Sequence, residues 1–166
     1  MTDAEVEKRD FDTNTKMHPP LRTAADIEAV KGGLKDGTID AICTDHAPHA
    51  SFEKEVEYVA APFGILGLET AWGLTGREII APGVLSLHEA VHKVTVAPRE
   101  ILRLPVPALE EGAPANLTIF DATTEWTFEK RHIKSKSSNT PFVGERMVGK
   151  AWATYNKGLL VDNAEA

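Results

Sequence analysis

The sequence predicts an α/β fold in which helices alternate with short apolar strands through residues 1–105, followed by a small β module over residues 106–166. Three observations carry this. A capped helical pattern at residues 23–37 runs into an apolar, β-branched run at residues 40–44, the helix-then-strand order of a βαβ unit. Further capped helical patterns fill the stretch up to residue 105. Beyond it, helical periodicity gives way to alternating β-branched segments and a hairpin signal.

Taken in order, Thr2-Asp3-Ala4-Glu5 reads as the cap and first turn of a short acidic helix with no strand before it, so the chain is expected to begin inside a larger fold. A polar connection at residues 10–14 leads to a brief predicted strand, Thr15-Lys16-Met17, which stops at His18-Pro19-Pro20. Two prolines forbid helix and remove backbone donors, so His18 is held extended at a strand end. That makes His18 a candidate site residue, against the equally simple reading of a surface histidine before a proline turn.

Thr23 stands three residues before Asp26, a variant capping box, and Ile27, Val30 and Leu34 follow at helical spacing. Asp36-Gly37 closes that helix with a residue suited to a left-handed cap. The strand at residues 40–44 comes next, and its right-handed crossover makes the βαβ unit. Residues 51–59 are charged and read as a helical or irregular loop. Ala60-Ala61-Pro62-Phe63-Gly64-Ile65-Leu66-Gly67 is apolar and broken by Pro and Gly, a backbone free to approach a ligand or to plug the sheet.

A helix is predicted over residues 68–80 with Leu68, Trp72 and Ile79 on its apolar face. Ser86-Leu87-His88-Glu89 is a full capping box opening a helix to about Val96, with Leu87, Val91 and Val94 inward. Pro98 suits the first turn of a last helix over residues 99–104. His88 and His92 lie four apart and face one side, a spacing that can hold a metal, but they flank the buried stripe and read more simply as surface residues. In the tail, a turn and strand occupy residues 112–121, extended by 125–128. Strands at 148–155 and 158–161 are joined by Asn156-Lys157-Gly158. His132, in a basic segment, reads as solvated.

The stretch that carries chemistry is Thr44-Asp45-His46-Ala47-Pro48-His49. Pro48 prevents a helix from starting inside it, so Asp45 falls at a strand's C-terminal end, where parallel α/β folds build active sites. Composition sets the surroundings. A net charge of −7, from 18 basic and 25 acidic residues, argues against nucleic acid or an anionic membrane as partner. The lone Cys43 excludes an internal disulfide and a Cys-rich zinc site. No run approaches the roughly 18 apolar residues of a membrane span and no signal-peptide pattern opens the chain, so the expectation is cytoplasmic.

Lys16-Met17-His18-Pro19-Pro20-Leu21-Arg22, Asp36-Gly37-Thr38-Ile39-Asp40, the Asp45 motif, Glu53-Lys54 and Ala61-Pro62-Phe63-Gly64-Ile65 recur in one order along the chain. With Gly67-Leu68-Glu69-Thr70, Lys136 and Asn139-Thr140-Pro141-Phe142, the series resembles the dihydroorotases of the amidohydrolase superfamily, in their C-terminal portion. The resemblance implies a (β/α)8 barrel with a binuclear zinc centre, flanked by a composite β domain to which residues 106–166 contribute. It also implies the reversible cyclisation of N-carbamoyl-L-aspartate to dihydroorotate in pyrimidine biosynthesis.

Carried over residue by residue, the resemblance makes Asp45 a zinc ligand and the base that takes the proton of the attacking hydroxide in the hydrolytic direction. A metal is needed there because it brings the ionisation of water from about 15.7 to about 7. His49 would hold the substrate carboxylate, the backbone at Pro62 and Gly64 would meet the ring, and His46 would support its neighbours. His18 departs from the Asn common in the family, which changes the charge and reach of that contact.

The family's metal centre also uses a His-x-His pair, a bridging carboxylated lysine and two further histidines, and this chain has no His-x-His among its six histidines. The expectation is therefore a chain inactive in isolation, whose zinc centre needs the N-terminal barrel portion. An oligomer of itself or aspartate transcarbamoylase would be its protein partner. Two rivals remain. One is a hydantoinase-like cyclic amidase. The other is a non-catalytic dihydroorotase-like subunit supporting aspartate transcarbamoylase, which the presence of both Asp45 and His49 disfavours.

Overall fold

The computed structural model describes residues 1–162, in two compact units built from discontinuous segments. The first comprises Met1–Ile39, Cys43–Ala71 and Thr127–Glu145; the second comprises Asp40–Ile42, Trp72–Trp126 and the described residues from Arg146 to Asp162.

In the first unit, helix α1 (Ala4–Lys8) is capped by the Asp3 carboxylate, which accepts from Ala4 N. Glu5 pairs with Lys8 at 3.1 Å and Arg9 at 3.0 Å. The Arg9 guanidinium also reaches Pro141 O at 3.1 Å, anchoring the helix to the later segment. The brief strand predicted at residues 15–17 is absent. Asp12 accepts from Asn14 N and Thr15 Oγ1 donates to Asp12 O, so the local polar side chains bend Thr13–Thr15 into a 3-10 turn.

Helix α2 (Ala24–Asp36) has the predicted Thr23–Asp26 capping box and ends at Gly37 with φ of 86°. Of its apolar stripe only Leu34 is buried, and Val30 is 52% exposed. Helix α3 (Ser51–Lys54) is a single turn held by Glu53 accepting from Ala50 N. Phe128 is fully buried in the last segment, and His132, read as solvated, instead caps a 3-10 turn by accepting from Glu129 N at 2.9 Å.

The predicted strand at residues 40–44 forms no ladder. Ile42 N donates to Lys93 O at 3.0 Å, but no strand of the described residues lies alongside to complete a parallel pair. A parallel strand is defined by its neighbours, which the local apolar run does not contain.

In the second unit, helix α4 (Ala71–Thr75) is shorter than the predicted 68–80 and passes into a π-helical turn at Gly76–Ile80. A Cβ at Gly76 would overlap Val148 O, so only glycine admits that backbone. Gly76→Ala is expected to cost about 3 kcal/mol in urea unfolding, since the neighbour is backbone and cannot rotate away. A loss under about 0.5 kcal/mol would remove the close approach from the account.

Helix α5 (Leu87–Val94) begins with the predicted Ser86–Glu89 capping box, and α6 (Val96–Ile101) places Pro98 in its first turn. Ala90 and Ala97 are their buried residues, while Leu87 is 39% exposed; His88 and His92 are exposed, as read. A three-stranded sheet orders β1 (Asn116–Thr127), β2 (Arg146–Asn156) and β3 (Leu159–Asp162) as β1-β2-β3. β2 and β3 are antiparallel with Asn156 opposite Leu159, leaving Lys157-Gly158 as the turn. Both have positive φ, 50° and 81°, the type I′ geometry that matches strand twist. Trp72 packs edge-on against Phe120 at 4.9 Å.

Candidate active site

Pro48 and the absence of a ladder leave residues 43–50 irregular, and the turn is held from outside. Ala47 N donates to Ile65 O at 2.9 Å and His49 N to Asn139 Oδ1 at 3.0 Å. Asn139 is buried, and its amide nitrogen returns to Ala47 O at 2.9 Å, so one side chain grips both ends of Ala47–His49. Within this turn Asp45 is exposed and takes the left-handed conformation, φ 46°. A non-glycine residue there costs about 1 kcal/mol or more, a strain that recurs at functional positions.

His46 points the other way. Its Nδ1 accepts from Gly67 N at 3.0 Å and Leu68 N at 3.4 Å, so that nitrogen carries no proton and the ring donates through Nε2. Nε2 lies 3.5 Å from Ser135 Oγ, and Ser135 N donates to Glu69 Oε1 at 2.8 Å. His46 therefore pins the motif to residues 67–69, the supporting role expected of it.

Burial pushes the Glu69 carboxyl up, but the hydrogen bonds from Ser135 outweigh it and hold the group below its ordinary 4.5. A depressed folded value stabilises above the unfolded value and is lost as pH falls through the folded one. Glu69→Gln is expected to flatten the acid limb of stability below about pH 4.5, read as the urea midpoint against pH. A limb as steep as wild type would contradict this.

The remaining sequence-predicted residues converge on Phe63. His49 Nε2 lies 2.9 Å from Phe63 O, with Nδ1 3.8 Å from Glu53 Oε2. His18, exposed, tilts its ring against Phe63 at 5.4 Å. Pro62 and Gly64 flank it, and Gly64 has φ of 96° with space for no Cβ, since one would lie 2.6 Å from Ala47 Cβ. The Pro62 and Gly64 carbonyls already accept from Lys54 Nζ at 2.9 and 3.1 Å, and Gly64 N donates to Lys16 O. Asn139 Nδ2 also donates to Gly64 O at 3.5 Å, which leaves the Pro62 carbonyl with a second lone pair for a ligand.

Residues 8–148 match the Amidohydrolase family. The chain belongs to the amidohydrolase family. A protein named dihydroorotase from Pelotomaculum thermopropionicum is 50% identical over 151 residues, 91% of this chain and 35% of the relative. Another so named, from Geobacter sp. (strain M21), is 48% identical over 164 residues, 99% of this chain and 38% of the relative. The chain thus spans a little over a third of the relatives it matches. Among solved structures, the L-hydantoinase (dihydropyrimidinase) from Arthrobacter aurescens aligns with a TM-score of 0.83 at 25% identity, over 98% of this chain and 37% of that one. The dihydropyrimidinase from Brevibacillus agri NCHU1002 aligns at 0.83 and 23%, with the same coverage, a likeness of fold. The resemblance read from the motifs is borne out.

For an amidohydrolase, the supply of metal ligands is limited. Among the described residues no group of three or more His, Cys, Asp or Glu side chains lies close enough to hold an ion. Asp45 is exposed and enters no ion pair or hydrogen bond among the described residues, which suits one donor of a larger set. The residues given no role by sequence are the ones that hold these loops in place: Lys16, Lys54, Asn139 and Glu69. Their motif pieces were visible; that Lys54 is buried at 6% exposure was hidden by the charged segment around it.

Proposed function

We propose that this chain supplies the base and part of the substrate pocket of a zinc-dependent dihydroorotase, which interconverts dihydroorotate and N-carbamoyl-L-aspartate. The supporting observation is 50% identity over 151 residues to a protein named dihydroorotase, against 25% to the L-hydantoinase. Residues 1–105 would belong to a (β/α)8 barrel and 106–166 to a β domain, completed by an N-terminal portion and functioning in the cytoplasm. In the second unit the exposed apolar side chains Ile101, Leu102 and Ile119 are available for that portion to cover.

Bound zinc would supply the field that lets water ionise near neutral pH. Asp45 would be one of its ligands, and the others would come from outside this chain. In hydrolysis the water oxygen bonds to the ring carbonyl carbon and the ring C–N bond breaks. Asp45 accepts the proton of the attacking water and returns it to the departing nitrogen. His49 would leave Phe63 O to hold the ring carboxylate, and His18 and the Pro62–Gly64 backbone would bound the ring.

That carboxylate separates the leading reading from the hydantoinase one. Hydantoin and dihydrouracil lack it, leaving His49 without its partner. In the full-length protein, kcat/KM for dihydroorotate is expected to exceed that for dihydrouracil by at least about 10^2. Preference for dihydrouracil would favour the hydantoinase-like amidase, and turnover of neither would favour a non-catalytic subunit.

A further inference from the structure

The loop that carries the proposed ring contacts has its carbonyls drawn inward by three side chains. Lys16 Nζ bonds Val59 O at 2.9 Å and Ala61 O at 2.6 Å, His49 takes Phe63 O, and Lys54 Nζ bonds Pro62 O and Gly64 O. We propose that Lys54 is a positioning residue for the substrate, its buried ammonium fixing the curl of Pro62-Phe63-Gly64. This inference rests on the dihydroorotase reading given above.

Two carbonyls two residues apart reach one atom within 3.1 Å only if the chain turns around that atom, which Gly64 permits at φ 96°. The lysine is itself fixed. Its own carbonyl accepts from Thr13 Oγ1 at 2.7 Å, and it sits on the turn that follows His49. Burial pulls the ammonium below its ordinary range, and the nearby Asp12 carboxylate opposes that pull. A buried ammonium without acceptors is costly, so the two carbonyls and the charge hold each other in place. Phe63, between them, is 51% exposed and touches both His18 and His49. Loosening the curl therefore loosens both histidines at once.

The test uses the full-length protein with dihydroorotate as probe. Lys54→Met keeps length and apolar stem but cannot donate; Lys54→Arg keeps a donor. Lys54→Met is expected to raise KM roughly tenfold with kcat within about threefold, and Lys54→Arg to restore KM to within about threefold. A wild-type KM in Lys54→Met, or equal losses in both variants, would overturn the proposal. A second measurement needs neither variant nor turnover: brief acetic anhydride labelling read by peptide mass. Lys54 is expected to label at least about tenfold more slowly than Lys8, whose side chain is 74% exposed. Equal labelling overturns the clasp even if Lys54→Met fails to fold. Slow labelling in a protein that does not turn over dihydroorotate leaves the clasp standing and overturns the proposed function instead.

Discussion

Asp45→Asn in the full-length protein is expected to lower dihydroorotate turnover by about 10^3-fold or more, the upper range for loss of a positioned base. The substitution is informative because of where the backbone sits. At φ 46° a β-branched side chain clashes, whereas Asn adopts the left-handed region as readily as Asp. Asp45→Asn therefore removes basicity while leaving shape and backbone preference, and its Tm should stay within about 2 °C of wild type. Asp45→Val should lose activity and also about 1–2 kcal/mol of stability. Near-wild-type turnover by Asp45→Asn would take Asp45 out of the reaction.

His49→Ala is expected to raise KM for dihydroorotate by about 10- to 100-fold, because the proposed hydrogen bond to the ring carboxylate is lost. The fall in kcat should be smaller, as the contact exists in both ground and transition states. The main-chain grip is spared, since Asn139 bonds the His49 backbone rather than its ring. What the ring also loses is Phe63 O, so some slackening of the loop accompanies the change. An unchanged KM with lost kcat would move His49 from substrate binding to the chemical step.

Much of the local structure was legible because local chemistry decides it. The boxes at Thr23–Asp26 and Ser86–Glu89 each satisfy helix N–H groups within four residues, and both open helices where read. The Lys157-Gly158 turn is set by two positive φ values that a short polar-glycine pair accepts. What was misread depends on distant partners. Residues 40–44 have strand composition but no neighbouring strand among the described residues. The need for glycine at Gly76, where the π-helical turn begins, comes from the backbone of Val148, more than seventy residues away in sequence.

The site shows the same division. Asp45, His46 and His49 stood out because a carboxylate and two imidazoles beside a proline are chemically conspicuous. Lys54 was part of a motif piece but had no role, since its charged segment reads as a helical or irregular loop, and only the fold turns it onto the Pro62 and Gly64 carbonyls. Asn139 was recognisable as part of a motif piece, but its grip on Ala47 and His49 spans some ninety residues of sequence. His46 was assigned support without a partner; Gly67, Leu68 and Ser135 supply them.

The central claim is that this chain contributes the base and substrate loop to a zinc centre whose other ligands lie elsewhere in the protein. Metal content and dihydroorotate hydrolysis, measured side by side for the 166-residue chain and the full-length protein, test it most directly. The expected result is stoichiometric zinc and turnover in the full-length protein, with neither in the isolated chain. Stoichiometric zinc and turnover by the 166-residue chain alone would contradict it.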